Sequence, residues 1–126
     1  MLWPKSMKLV DANVILRCIL EDNTDMAKQA VKVIEAGAYT KTEIIAEVIY
    51  VLQKVYAVQR SEIKDMLNSI LSVIYCPDKQ SISYAIDLYA QSSFDFVDCL
   101  LIAYHSIHGE DVFTFDKKIN RFLLRE

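Results

Sequence analysis

The chain has 126 residues, 53% of them hydrophobic, with only two glycines, two prolines and a formal net charge of −3. That is the size and composition of one folded domain, 1–126, with one core. It excludes a disordered chain, and it excludes a nucleic-acid binder that works by net charge alone.

In chain order, MKLVDAN starts with a short apolar run ending at Asp11 and predicts a buried strand. Asp11 or Asn13 can cap the helix VILRCIL that follows. EDNT is a loop, and a second helix starts near Asp25 and closes at Gly37. AYT is a short strand candidate. Thr42 opens a long helix, EIIAEVIYVLQKVY, and Ser61 with Glu62 opens EIKDMLNSILS. VIYCP predicts a strand stopped by Pro77, and QSISYAIDLYAQ a helix. The helix from Asp95 to His108 is apolar around its axis and ends at Gly109. DVFTF predicts the last strand, followed by Asp116 and a short amphipathic tail.

Strands alternating with helices predict an α/β chain with a central parallel sheet covered on both faces, a three-layer α/β/α domain. MLWPKSMK lacks the apolar core of a signal peptide, and no stretch is long enough to span a bilayer, so a cytoplasmic protein is expected. Met7 is an alternative start, which would make residues 1–6 an extension. Cys18, Cys76 and Cys99 are odd in number and widely spaced, as expected of reduced thiols used as small apolar side chains.

Two glycines leave no room for a Walker A or GxGxxG loop, and GxSxG is missing. His105 and His108 lie three apart without an HExxH pattern and read as polar residues near a helix end rather than a zinc pair. Asp22 and Asp25 read as solvated or capping. A response-regulator receiver would need a phosphoacceptor aspartate after a middle strand. Only Asp78, behind a proline, is available.

The acids are the informative residues. Ligands of open parallel sheets bind beyond the carboxyl ends of the strands. Asp11 and Asp116 end the first and last predicted strands. Glu47 falls at the margin of a predicted stripe of Ile44, Val48, Val51, Leu52 and Val55, with like-charged Glu43 one turn back and no cation in reach. Asp98 sits among Leu101, Ile102 and His105 on an apolar helix, where a lone carboxylate is costly. Asp95, nearer the helix start, reads as a cap and as a candidate fifth acid of the same cluster. Acids converging on one rim raise one another's pKa, and a divalent cation removes the repulsion. An all-oxygen ligand set selects Mg²⁺ or Mn²⁺ and suits phosphodiester hydrolysis.

LVDANVIL, EIIAEVIYVL, DFVDCLLIA and FTFDKK, in this order, resemble the PIN-domain family, and within it the VapC-type toxins of toxin–antitoxin pairs. The resemblance implies a metal site at Asp11, Glu47, Asp98 and Asp116, supported by Asn13 and Thr114. It implies a Mg²⁺- or Mn²⁺-dependent endoribonuclease, homodimerisation, and inhibition by a cognate antitoxin. Asn120 stands where family members often carry a further acid, which weakens a second metal position. Lys117, Lys118 and Arg121, beside Asp116, are candidate contacts to the RNA backbone. An RNA-processing nuclease without an antitoxin, and a degenerate PIN-fold binding module, are the competing readings.

Overall fold

A computed structural model describes residues 7–22 and 24–125. The expected extension at residues 1–6 lies outside them. The chain divides into two compact units, Met1–Pro77 and Asp78–Glu126.

In the first unit, β1 (Lys8–Leu9) pairs in parallel with β2 (Ala38–Tyr39), with Lys8 opposite Ala38 and Leu9 opposite Tyr39. Between them come α1 (Ala12–Leu20) and α2 (Asp25–Ala36), the crossover that a parallel pair requires. Helices α3 (Thr42–Lys54) and α4 (Arg60–Leu71) follow. Thr24 caps α2 through its hydroxyl, which accepts from the Ala27 N–H at 3.1 Å. The same hydroxyl donates to Asp22, whose carboxylate also meets Arg17 at 2.9 Å. These two contacts, the Thr24 bond foremost, hold the Asp22 carboxyl below the usual carboxylate range. Gly37 ends α2 at φ +116°, a conformation that side chains rarely adopt, and the chain turns there into β2.

The predicted strand VIYCP is reduced to one parallel bridge, Tyr39 to Tyr75. It is held by Thr40 N–H to Tyr75 O at 2.9 Å and Tyr75 N–H to Ala38 O at 3.1 Å. The α3 stripe is rotated from the expected one. Ile45, Val48, Ile49 and Leu52 are buried, while Val55 lies beyond the helix end and is 66% exposed. Ala12, Ile15 and Leu16 of α1 and Ala27, Ala30 and Ile34 of α2 are buried, as the 3.6-residue period requires.

The second unit holds α5 (Lys79–Gln91), α6 (Phe96–His108) and α7 (Lys117–Leu124). Ile82, Ala85, Ile86 and Tyr89 of α5, and Phe96, Cys99, Ile102 and Ala103 of α6, are buried. Tyr89 and Phe96 meet edge to face at 6.2 Å. Gly109 closes α6 in the left-handed region at φ +68°. Its N–H bonds to His105 O, and the Glu110 N–H reaches Tyr104 O, the Schellman pattern.

Asp78, at φ +55°, occupies the N-cap position of α5. Its carboxylate accepts from Ser81 Oγ at 2.9 Å and from His108 Nε2 at 2.9 and 3.0 Å. His105 instead donates from Nδ1 to the Glu110 carbonyl at 2.9 Å. The two histidines therefore serve different partners, as structural polar residues rather than as a pair.

DVFTF forms no strand. Residues 109–116 are irregular, with Phe113 and Phe115 exposed. An alternating apolar pattern becomes a strand only where a neighbour takes its backbone N–H and C=O groups, and no ladder partner is assigned to this segment among the described residues. None of the three cysteines forms a disulfide, and Cys76 and Cys99 are buried. No helix of the described residues is long and apolar enough to cross a membrane.

Candidate metal centre

In the first unit, Asp11 ends the extended segment after β1 and caps α1. Its Oδ1 accepts from the Val14 N–H at 3.1 Å. The cap explains why α1 starts at Ala12. It also leaves Oδ2 with no hydrogen-bond partner among the described residues, so capping and metal ligation are compatible in one side chain. Asp11 lines a cavity of about 440 Å³ with Lys8, Leu9, Val10, Val14, Val33 and Ile44. Glu47, one turn along α3 from Ile44, is exposed and has no ion pair or hydrogen bond among the described residues. Asn13, at the second position of α1, is exposed and lines a separate hollow with Arg17 and Met26.

In the second unit, Asp95 occupies the N-cap position of α6 with extended backbone, but its side chain makes no cap bond. Asp98, at the third helical position, is half-buried. Burial pushes its carboxyl above the usual carboxylate range. The negative charges of Asp95 and then Asp116 push the same way, against a hydrogen bond from the Asp95 backbone N–H. The surroundings of Asp98 therefore oppose its charge, as its position on an apolar helix predicts.

Asp116 caps α7. Its Oδ1 accepts from the N–H groups of Lys118 at 2.8 Å and Ile119 at 3.0 Å. Thr114 Oγ1 accepts from the Asp116 N–H at 3.1 Å, and Asn120 Nδ2 donates to Thr114 O at 2.9 Å. Thr114 thus ties down the Asp116 backbone N–H. Asn120, at the place of an expected further acid, fastens the loop. As with Asp11, Oδ2 of Asp116 takes no hydrogen bond among the described residues.

In the second unit the charges of Asp95 and Asp116 both bear on Asp98, while Asp11 and Glu47 belong to the first. Among the described residues, no three His, Cys, Asp or Glu side chains are drawn close enough to clasp an ion. Taken singly, each of these acids offers only carboxylate oxygens, the donor chemistry that suits a hard divalent cation, and Asp11 and Asp116 each keep one oxygen free of hydrogen bonds among the described residues.

Lys117, Lys118 and Arg121 are exposed on α7. Arg121 Nε reaches only the Lys117 carbonyl, at 3.4 Å. Phe113 and Phe115, in the segment that the sequence predicts as the last strand, are exposed and come directly before these cations in the chain. The signal available in the sequence was their i, i+2 spacing directly before a basic run.

Comparison with curated proteins gives no match. The PIN-domain model matches residues 8–122, which takes in both units and all four acids of the LVDAN, EIIAE, DFVDC and TFDKK segments. PIN domains are typically nucleases that use divalent metals. By this match, and with the parallel sheet, the α/β class and the acids just described, the chain belongs to the PIN-domain family.

Proposed function

We propose that the protein is a Mg²⁺- or Mn²⁺-dependent endoribonuclease and the toxin of a toxin–antitoxin pair. The observation that carries the nuclease reading is the acid-only donor set within the family match, with one oxygen of each capping aspartate left free.

Asp11, Asp98 and Asp116 would hold the cation, with Glu47 joining them directly or through water, and Asp95 is a candidate fifth acid. When bound, the cation neutralises the crowded carboxylates and supplies the Lewis acidity that phosphodiester hydrolysis requires. The chain's own residues do the rest. The α1 and α7 N-termini orient Asp11 and Asp116 through their cap bonds. Thr114 fixes the Asp116 backbone, and the family resemblance gives Asn13 a supporting part. Lys117, Lys118 and Arg121 hold the RNA backbone.

Resemblance of the four segments to VapC-type toxins supports the toxin reading, with a cognate antitoxin as the partner. Exposed Tyr50, Val55 and Tyr56 at the end of α3 support a homodimer, since apolar patches of this kind mark interfaces. The test is growth of cells expressing the protein alone. Wild type should arrest growth, and Asp11→Asn should relieve the arrest. Equal harm from both would show that the toxicity is not catalytic, and harm from neither would remove the toxin reading.

A further inference from the structure

We propose that Phe113 and Phe115 form a base-stacking platform for single-stranded RNA, beside the acids of the second unit. The proposal rests on the nuclease reading for the identity of its ligand and adds how that ligand is gripped.

The two rings are 84% and 89% exposed, against a partly buried Val112 and Thr114 on the alternate positions. They share one side of an irregular segment that is anchored at both ends, by the Gly109 closure of α6 and by the Asp116 cap of α7. The rings meet edge to face, centroids 5.3 Å apart and planes at 83°. A perpendicular pair of this kind presents ring faces in two directions. Splayed bases of a single strand can use both, while the continuous stack of a duplex cannot open to reach them.

Charge favours RNA over a protein occupant. Lys117 and Lys118 fill the first turn of α7, where cations oppose the helix dipole, and α7 has no acid in that turn. Their placement therefore does not serve the helix. With Arg121 they supply phosphate contacts next to the rings, the combination of cationic track and aromatic face that binds single strands. Glu110 and Asp111 lie on the α6 side of the rings, so a strand is steered towards α7 and Asp116.

The test is fluorescence anisotropy in EDTA, using labelled oligo(U) and an RNA duplex of equal length as probes. Phe113→Ala and Phe115→Ala should each weaken oligo(U) binding about tenfold, the factor given by ~1.4 kcal/mol of lost stacking. Trp at either position should restore binding, and Leu should not. Both Ala variants should melt with the wild type, because the rings are exposed. Lys118→Ala should flatten the salt dependence by roughly 0.7 in the log–log slope.

Unchanged binding in the Ala variants, equal binding by Leu and Phe, or duplex bound as tightly as oligo(U) would each overturn the platform. So would Ala variants that lose self-association in sedimentation while binding oligo(U) normally, which would assign the rings to a protein interface. Binding is read without metal, so it is independent of cleavage. Wild type that binds oligo(U) through the rings yet cuts no RNA with Mg²⁺ or Mn²⁺ would sink the nuclease reading alone. Cleavage with a KM indifferent to both Phe→Ala changes would sink the platform alone.

Discussion

On the proposed function Asp116 has two duties, helix cap and metal ligand, that two substitutions separate. Its Oδ1 takes the Lys118 and Ile119 N–H groups, and Ile119, 1% exposed, is the buried anchor of α7. Asp116→Ala removes the cap and should cost ~1 kcal/mol, within the usual range of about 0.5–2 for a lost N-cap. For a domain of this size that lowers Tm by roughly 3–5 °C. Asp116→Asn keeps a capping oxygen of equal rank. It gives up a few tenths of a kcal/mol of dipole interaction, ~0.3 or more, and gains relief of the repulsion felt by Asp98. The two nearly cancel, so its Tm in EDTA should stay within about 2 °C of wild type. Both variants should lose metal-dependent RNA cleavage, because both lose the negative charge beside Asp98. The assays are thermal melting in EDTA and cleavage of RNA in Mn²⁺. An Asn variant that cleaves like wild type would reduce Asp116 to a helix cap. An Asn variant as unstable as Ala would refute the capping account.

Asp98→Asn should leave the metal-free protein as stable as wild type or more so at neutral pH. A raised folded-state pKa means that ionisation opposes folding, so stability is lost as pH rises through that pKa. The advantage of Asn should therefore shrink as pH falls from 7 through the raised value, and a melt that destabilises Asn at neutral pH would contradict it. The stabilisation that Mn²⁺ gives the wild type by mass action should be smaller in Asp98→Asn. Sedimentation should show self-association that Tyr50→Lys with Tyr56→Lys weakens; a monomer at tens of micromolar, a concentration that populates most stable dimers, would count against the interface.

The helices were legible because each carries its own signal. Thr24, Asp11 and Asp116 cap as their residue types require, and Gly37 and Gly109 stop helices at positive φ. The strands were less so. A strand exists through its neighbour, and the local pattern of VIYCP and DVFTF says nothing of whether a ladder partner is present. The α3 stripe was misplaced because almost every α3 position from Ile44 to Leu52 except Glu47 and Tyr50 is apolar or small, so several registers fit equally well. Asp98 stands out in the sequence because an acid on an apolar helix has few innocent explanations, and the structure half-buries it. Glu47 is singled out by its unpaired place on the stripe margin, and the structure leaves it exposed, where a glutamate looks the same whether or not it leans towards an ion. Phe113 and Phe115 belong to a segment whose pattern predicts a strand, and only their surroundings distinguish a core ring from a presented one.

The central claim is that these acids work through a divalent cation on RNA. The most direct measurement is cleavage of RNA by the purified wild type in EDTA, then with Mg²⁺ or Mn²⁺ restored, beside Asp98→Asn under the same conditions. The account predicts no cleavage in EDTA, recovery with either metal, and no recovery in Asp98→Asn. Undiminished cleavage in EDTA, or full metal-dependent cleavage by Asp98→Asn, would contradict it.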